Sequence, residues 1–281
     1  MQERQVNLYD LTWENSNGIL PRTDFACFIS TKEGFPKNEA RGLKYLEKYN
    51  FLEGDLIKTP EIIYKDNPQL KKFKNKKILV LGGGPTTNWY DWNPDEYDHI
   101  FSCNHFFLNE KLSKCKVDLA IICGEVDLNR RDFLEYVIKN DTLLGFEDYW
   151  PNPDNVKMLN NFIKKEISSN NVFDCILRFQ SKIGVGAKII ILAVLLGASQ
   201  VDFAGVDGPP SQDYKIGDPS GHSFQKNKPC TTGYPYALLY NHYLCLKMYL
   251  EKEIAKGVIL NNLGAGHDQN VYSKLPDLRI E

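Results

Sequence analysis

The sequence carries no excess of either charge: 34 Lys and Arg stand against 36 Asp and Glu, a formal net of -2 over 281 residues. Binding to a phosphate backbone or to an anionic membrane therefore has no electrostatic motive, and no nucleic-acid partner is expected. Long apolar runs are missing too. The longest, Ile189 to Ala198, spans ten residues, about half of what a bilayer-spanning helix requires, and so belongs in a core. Met1 to Leu20 contains Glu3, Arg4, Asp10 and Glu14 without the apolar stretch of a secretory signal, and the expectation is a soluble, cytoplasmic protein. There is no Cys-x-x-Cys pair. The seven cysteines (27, 103, 115, 123, 175, 230 and 245) are odd in number and scattered, which favours reduced, buried thiols over a disulfide frame or a zinc knot. Internal repeats are also lacking. What is present is apolar material, 42% hydrophobic and 12% aromatic, enough to offset the entropy of ordering a globular core.

Lys71 to Lys77 (KKFKNKK) reads as a solvated boundary before a strongly apolar strand. Upstream, residues 1–75 mix one helical pattern, Asn38 to Tyr49, with extended candidates at Phe25 to Ile29 and Glu61 to Tyr64, and are expected to form an N-terminal extension packed on the main domain. From Lys77 onward short apolar runs alternate with helical patterns. The runs are Ile78–Leu81, Ile100–Cys103, Leu119–Cys123, Leu143–Phe146, Val172–Leu177, Val201–Val206 and Val258–Leu260, each the pattern of a strand buried on both faces. Between them Asn129–Lys139, Asp154–Ile167, Ala187–Leu196 and Tyr234–Lys256 read as helices. This alternation predicts an α/β, Rossmann-like domain, a mostly parallel sheet flanked by helices, over residues 76–281. In such sheets ligands bind beyond the carboxyl ends of the strands, which makes the residues after each run the candidates for chemistry.

The first run enters Gly82-Gly83-Gly84-Pro85-Thr86-Thr87, where glycines permit close backbone approach and exposed amides would cradle a phosphate. It matches neither GxGxxG nor a P-loop, and a tight turn without a ligand stands as the other reading. The second run ends in Cys103-Asn104-His105-Phe106. Asn104 offers an amide to a base or ribose, or else satisfies loop backbone. The third ends in Gly124-Glu125-Val126-Asp127, two carboxylates that either hold a divalent cation or are simply solvated. Lys182-Ile183-Gly184-Val185-Gly186-Ala187 leads into a hydrophobic helix; its glycines serve either an anion at the helix start or close packing on the sheet. After Val206 a polar stretch from Asp207 to about Gly233 contains Tyr214 and Ser220-Gly221-His222-Ser223. A loop of this length is often a functional lid, and His222 is the best general-base candidate among the five histidines.

Taken in order, Ile78 to Thr86, Cys103 to Phe106, Gly205-Val206-Asp207 and Gly221-His222-Ser223 resemble the bacterial sialyltransferases of glycosyltransferase family 42, over roughly residues 76 to 270. The glycine-proline opening also looks like the motility accessory factors and the hydroxymethylpterin pyrophosphokinases. By the sialyltransferase resemblance the chain moves a sugar, such as a CMP-linked sialic acid, from a nucleotide donor to a glycan hydroxyl in polysaccharide synthesis, in the cytoplasm or at the membrane periphery, without metal or other cofactor. The resemblance implies a nucleotide site at Gly82, Gly83, Gly84, Pro85, Thr86, Asn104, Gly184, Gly186 and Asp207, with His222 as base, Tyr214 steadying the leaving phosphate, and a homo-oligomer. The chain departs from the family where Gly83 replaces Asn, Thr86 replaces Ser, and Gly184-Val185-Gly186 replaces a hydroxyl-bearing Thr-Ser-Gly. A Mg²⁺-dependent ATP pyrophosphokinase using Glu125, Asp127 or Asp207, and a nucleotide-binding module without chemistry, are the alternatives.

Overall fold

The structure is a computed structural model that describes residues 27–30, 62–64, 68–123, 126–146, 162, 171–177, 185–206, 222–225 and 257–264. Among the described residues nine strands form one sheet: β1 (Cys27–Ser30), β2 (Ile62–Tyr64), β3 (Lys77–Leu81), β4 (His99–Cys103), β5 (Leu119–Ile122), β6 (Leu143–Phe146), β7 (Val172–Leu177), β8 (Gln200–Ala204) and β9 (Ile259–Asn262). Their order is β2-β1-β7-β6-β5-β4-β3-β8-β9. The seven strands from β7 to β9 are parallel throughout, whereas β1 joins the edge antiparallel to β7 and β2 follows it in parallel. The fold is α/β and Rossmann-like. Burial explains the strand sequences: β5 and β6 are buried at every position, and β3, β4 and β8 at all but the first. A strand with a helix or loop layer on each face has no polar side, so its sequence runs apolar instead of alternating.

Among the described residues three α-helices flank the sheet: α1 (Thr86–Trp89), α2 (Arg131–Asn140) and α3 (Val185–Leu195). Helix α2 is amphipathic, with Phe133, Tyr136 and Val137 on its buried stripe. It stops at Asp141, whose left-handed conformation (φ 52°) carries the chain into β6. Helix α3 is apolar almost all round, with residues 188–194 buried, and packs across β3, β4 and β8. The predicted helices at Asp154–Ile167, Tyr234–Lys256 and Asn38–Tyr49, and the predicted lid after Asp207, lie outside the described residues, apart from helical Phe162 and the Gly221–Ser223 end of that loop from His222 onward.

The basic stretch is more than a solvated boundary. A 3₁₀ turn at Pro68–Phe73 inserts Leu70 and Phe73, both fully buried, into the core, and the Phe73 ring meets Phe101 edge-on at 4.7 Å and His99 at 4.9 Å. The lysines read as a solvated run because they surround an aromatic that faces the other way. At the same amino end of the strands, the Asp118 carboxylate accepts the Ile100 N–H at 3.2 Å and lies 3.3 Å from His99 Nδ1 and 3.6 Å from Lys116 Nζ. Burial pushes this carboxyl up, but these partners outweigh it and hold the group below the usual carboxylate range. Of the cysteines with described side chains, Cys103, Cys115 and Cys123 are free thiols, and burial pushes Cys115 up to about 11.

Candidate functional site

The strand order reverses at β3. The chain leaves β3 toward β4, β5, β6 and β7 on one side and returns to β8 and β9 on the other. A crevice opens beyond the carboxyl ends of β3 and β8 in such a topology, because consecutive connections diverge to opposite sides there. The glycine turn occupies that position, and its backbone is joined to the end of β8. Gly82 N–H donates to Ala204 O at 2.9 Å and Gly84 N–H to Gly205 O at 2.8 Å. In return Gly205 N–H donates to Thr86 Oγ1 at 2.8 Å, and Thr87 Oγ1 donates to Gly82 O at 2.7 Å. A Cβ on Gly82 would strike the Gly205 carbonyl, and one on Gly205, which sits at φ +70°, would strike Thr87 Oγ1 and the Gly82 carbonyl. The glycines let two backbones touch.

These bonds narrow the expected phosphate cradle. Two of the three glycine amides are consumed in joining β3 to β8, and only Gly83 N–H has no partner among the described residues. Thr86 and Thr87 are buried, and the Thr86 hydroxyl is engaged by Gly205 N–H. Thr86 thus supports the turn from beneath. Pro85, at φ -59°, opens α1, where its missing N–H is no loss. Trp92 Nε1 closes the structure from below by donating to Thr87 O at 2.8 Å.

His222 and Ser223 meet this turn from far along the chain. Ser223 N–H donates to Gly83 O at 2.8 Å, and Ser223 Oγ donates to Gly84 O at 2.6 Å across 139 residues. The His222 ring lies on Gly83 so closely that a Cβ there would sit 2.8 Å from both Cε1 and Nε2. Glycine at position 83 is therefore matched to the imidazole. On the other side of the ring, Nδ1 accepts Phe224 N–H at 3.2 Å and Gln225 N–H at 3.3 Å.

Asn104 stands at the end of β4, in a left-handed conformation (φ 47°) that short polar side chains tolerate best after glycine. Its Oδ1 accepts Cys123 N–H at 2.8 Å, which bridges the exits of β4 and β5. That bond orients the amide, and Nδ2, a donor, has no partner among the described residues. Ser102 Oγ donates to Leu81 O at 2.7 Å, tying the end of β4 to the end of β3. His105 is buried and precedes a 3₁₀ turn at Phe106–Leu108.

Asn109 is a residue the sequence reading passed over. It is buried, its Nδ2 donates to Asn88 Oδ1 at 2.7 Å and to Ser223 O at 3.0 Å, and its Oδ1 accepts Lys111 N–H and Leu112 N–H at 3.0 Å. One side chain therefore holds α1, the segment after β4 and the His222–Ser223 segment together. The only local signal for it was a polar residue between apolar Phe106–Leu108 and Leu112.

Gly186, in the first turn of α3, faces Val206: an added Cβ would lie 3.0 Å from Val206 Cγ2, so close packing accounts for this glycine. Asp127 is exposed and its Oδ1 accepts Asn129 N–H at 3.0 Å. Gly184, Asp207, Tyr214 and Glu125 lie outside the described residues. The structure thus brings Gly82 to Thr86 and His222 to one place, sets Asn104 on the adjacent strand end and Gly186 against Val206, next to Gly205.

No protein-family profile matches the chain, and no curated protein matches its sequence. Among solved structures it is similar to the sialyltransferase CstII from Campylobacter jejuni in complex with a substrate analogue, cytidine-5'-monophosphate. The identity is 16% and the TM-score 0.42, with 68% of this chain and 80% of that chain covered.

Proposed function

We propose that the chain is a glycosyltransferase that moves a sugar from a nucleotide donor, a CMP-linked acidic sugar such as sialic acid in the simplest form, to a glycan hydroxyl. One observation carries the reading: His222 and Ser223 seat on Gly83 and Gly84 at the point where the strand order reverses. Two motifs that the sialyltransferase resemblance assigns to one site are thereby in contact, although nothing in their separation along the chain requires it. Asn104, on the neighbouring strand end, adds an oriented amide donor. In the proposed reaction the acceptor hydroxyl attacks the anomeric carbon, the bond from that carbon to the phosphate oxygen breaks, and the electron pair remains on the nucleotide phosphate. The hydroxyl proton passes to a base, a role the resemblance assigns to His222. Donors aimed at the departing phosphate lower the barrier because its charge grows as the bond breaks.

A thermal-shift screen against CMP, UDP, GDP and ATP, with and without Mg²⁺, tests this. A nucleotide at 100 times its dissociation constant stabilises the folded state by about 2.7 kcal/mol, and CMP is expected to do so without Mg²⁺. Stabilisation by ATP alone, and only with Mg²⁺, would reject the reading and favour phosphoryl transfer.

A further inference from the structure

Asn109 spends its whole amide inside the protein, two donor hydrogens on Asn88 Oδ1 and Ser223 O and two acceptor sites on Lys111 N–H and Leu112 N–H. Any effect it has on the crevice must therefore pass through a neighbour. The two ends do different work. Oδ1 accepts from the second and third residues that follow, as an N-cap asparagine does, and so closes a local turn. Nδ2 acts at long range, on α1 through Asn88 and on the Ser223 carbonyl 114 residues away at 3.0 Å.

That carbonyl shares a peptide with Phe224 N–H, which donates to His222 Nδ1 at 3.2 Å. In a planar trans peptide the oxygen and the N–H point in opposite directions, so fixing one fixes the other. Ser223 N–H and Oγ, bonded to Gly83 O and Gly84 O, lie on the earlier side of the residue and do not set the rotation of this peptide. Asn109 does. A carbonyl that accepts a hydrogen bond also polarises the N–H of its own peptide and makes it a better donor. Resting on the glycosyltransferase reading above, we propose that Asn109 is the positioning residue of His222, acting through the Ser223–Phe224 peptide to aim Phe224 N–H at the ring.

Two substitutions separate this role from the local cap. In Asn109→Asp the carboxylate still accepts Lys111 N–H and Leu112 N–H, and aspartate caps about as well as asparagine. Asn88, which is exposed, can turn its amide to donate. The contact with Ser223 O alone has no substitute, because neither oxygen carries a proton. Asn109→Ser keeps a capping oxygen without a charge and is too short to reach Ser223 O. Asn88→Ala is the control: it removes the link to α1 and leaves the Ser223 contact.

The experiment records ¹H–¹³C correlations of the histidine rings in the full chain, with the His222 signal assigned by its loss in His222→Gln and His99, at the amino end of the strands, as internal reference. Hydrolysis of CMP-linked sialic acid, with water as acceptor, gives kcat and KM. Both Asn109 variants should fold and shift the His222 signal while His99 stays in place, and Asn88→Ala should leave both unchanged. The same two variants should lower kcat about 10- to 100-fold, the scale of a misplaced reacting group, with KM nearly constant because Asn109 does not touch the donor. An unmoved His222 signal in either folded Asn109 variant overturns the proposal, as does an equal shift in Asn88→Ala. A shifted signal with unchanged kcat overturns the part that concerns the reaction. If the wild type neither hydrolyses the donor nor binds CMP, the glycosyltransferase reading fails, and the ring spectra still decide whether Asn109 positions His222.

Discussion

Gly83→Ala is the sharpest probe of the contact between the two halves of the site. Gly83 is not among the glycines at positive φ, so alanine fits its backbone, and on unfolded-state entropy alone the substitution should stabilise by about 0.4–1 kcal/mol. The ring of His222 reverses that sign. The new Cβ would lie 2.8 Å from Cε1 and Nε2, against an ordinary contact of 3.4–4 Å, so the ring must withdraw by about 0.6 Å or more. It cannot do so freely, because Nδ1 is held by two backbone N–H groups and Ser223 is bonded to the turn carbonyls on either side. Losing the two Nδ1 bonds costs about 0.5–1.5 kcal/mol each, which less the entropic gain of about 0.4–1 kcal/mol leaves Gly83→Ala destabilising by up to about 2.5 kcal/mol, with CMP binding weakened along with it. Urea denaturation of the double-mutant cycle isolates the contact. In a His222→Ala background the same Gly83→Ala change meets no ring and should be neutral or mildly stabilising, giving a coupling energy above about 1 kcal/mol. If Gly83→Ala costs the same in both backgrounds within about 0.5 kcal/mol, the imidazole does not rest on Gly83 and the site described above is wrongly assembled.

Thr86→Val keeps the shape of the side chain but leaves the buried Gly205 N–H without its acceptor; a loss of about 1–3 kcal/mol in urea denaturation is expected, and a neutral effect would show that the hydroxyl does not tie β8 to the turn. Asp118→Asn should lower stability by about 1–3 kcal/mol at pH 7, with the difference from wild type shrinking in acid. The folded-state pKa of Asp118 is depressed, so its contribution is present above the unfolded value near 3.9 and is lost as pH falls through the folded one; a difference that persists unchanged at pH 3 would refute the assignment.

The strand pattern was legible because burial on both faces leaves a direct mark on sequence: each predicted run from Ile78–Leu81 to Val258–Leu260 coincides with a strand to within a few residues. The motifs of the site were legible for a similar reason, since Gly82 and Gly205 must be glycine where two backbones touch. Function-bearing detail was less visible. That Gly82 and Gly84 amides are consumed by β8 depends on a partner more than a hundred residues away, and that Thr86 faces Gly205 instead of the crevice depends on which way a four-residue helix turns. Asn109 leaves no periodic signal, because a buried asparagine is identified by what surrounds it and not by its spacing. Phe73 was hidden by composition: five lysines in seven residues outweigh one aromatic in any windowed reading, yet the aromatic alone decides where that segment packs.

What the turn leaves over constrains the ligand more than what it contains. Gly82 N–H, Gly84 N–H, the Thr86 and Thr87 hydroxyls, Ser223 Oγ and both ends of the Asn109 amide are spent on holding β3, α1, β8 and the His222 segment together. Among the described residues, the groups on this edge whose donor hydrogens are not used in that scaffold are Gly83 N–H and Asn104 Nδ2. Both are donors. Among the described residues this edge therefore offers fixed N–H donors, which suit acceptor groups of a ligand, because an acceptor oxygen can exchange a water for a fixed N–H. Donors mounted on a turn that is bonded in this way would lose little freedom on meeting a ligand, so that more of each bond would appear as affinity.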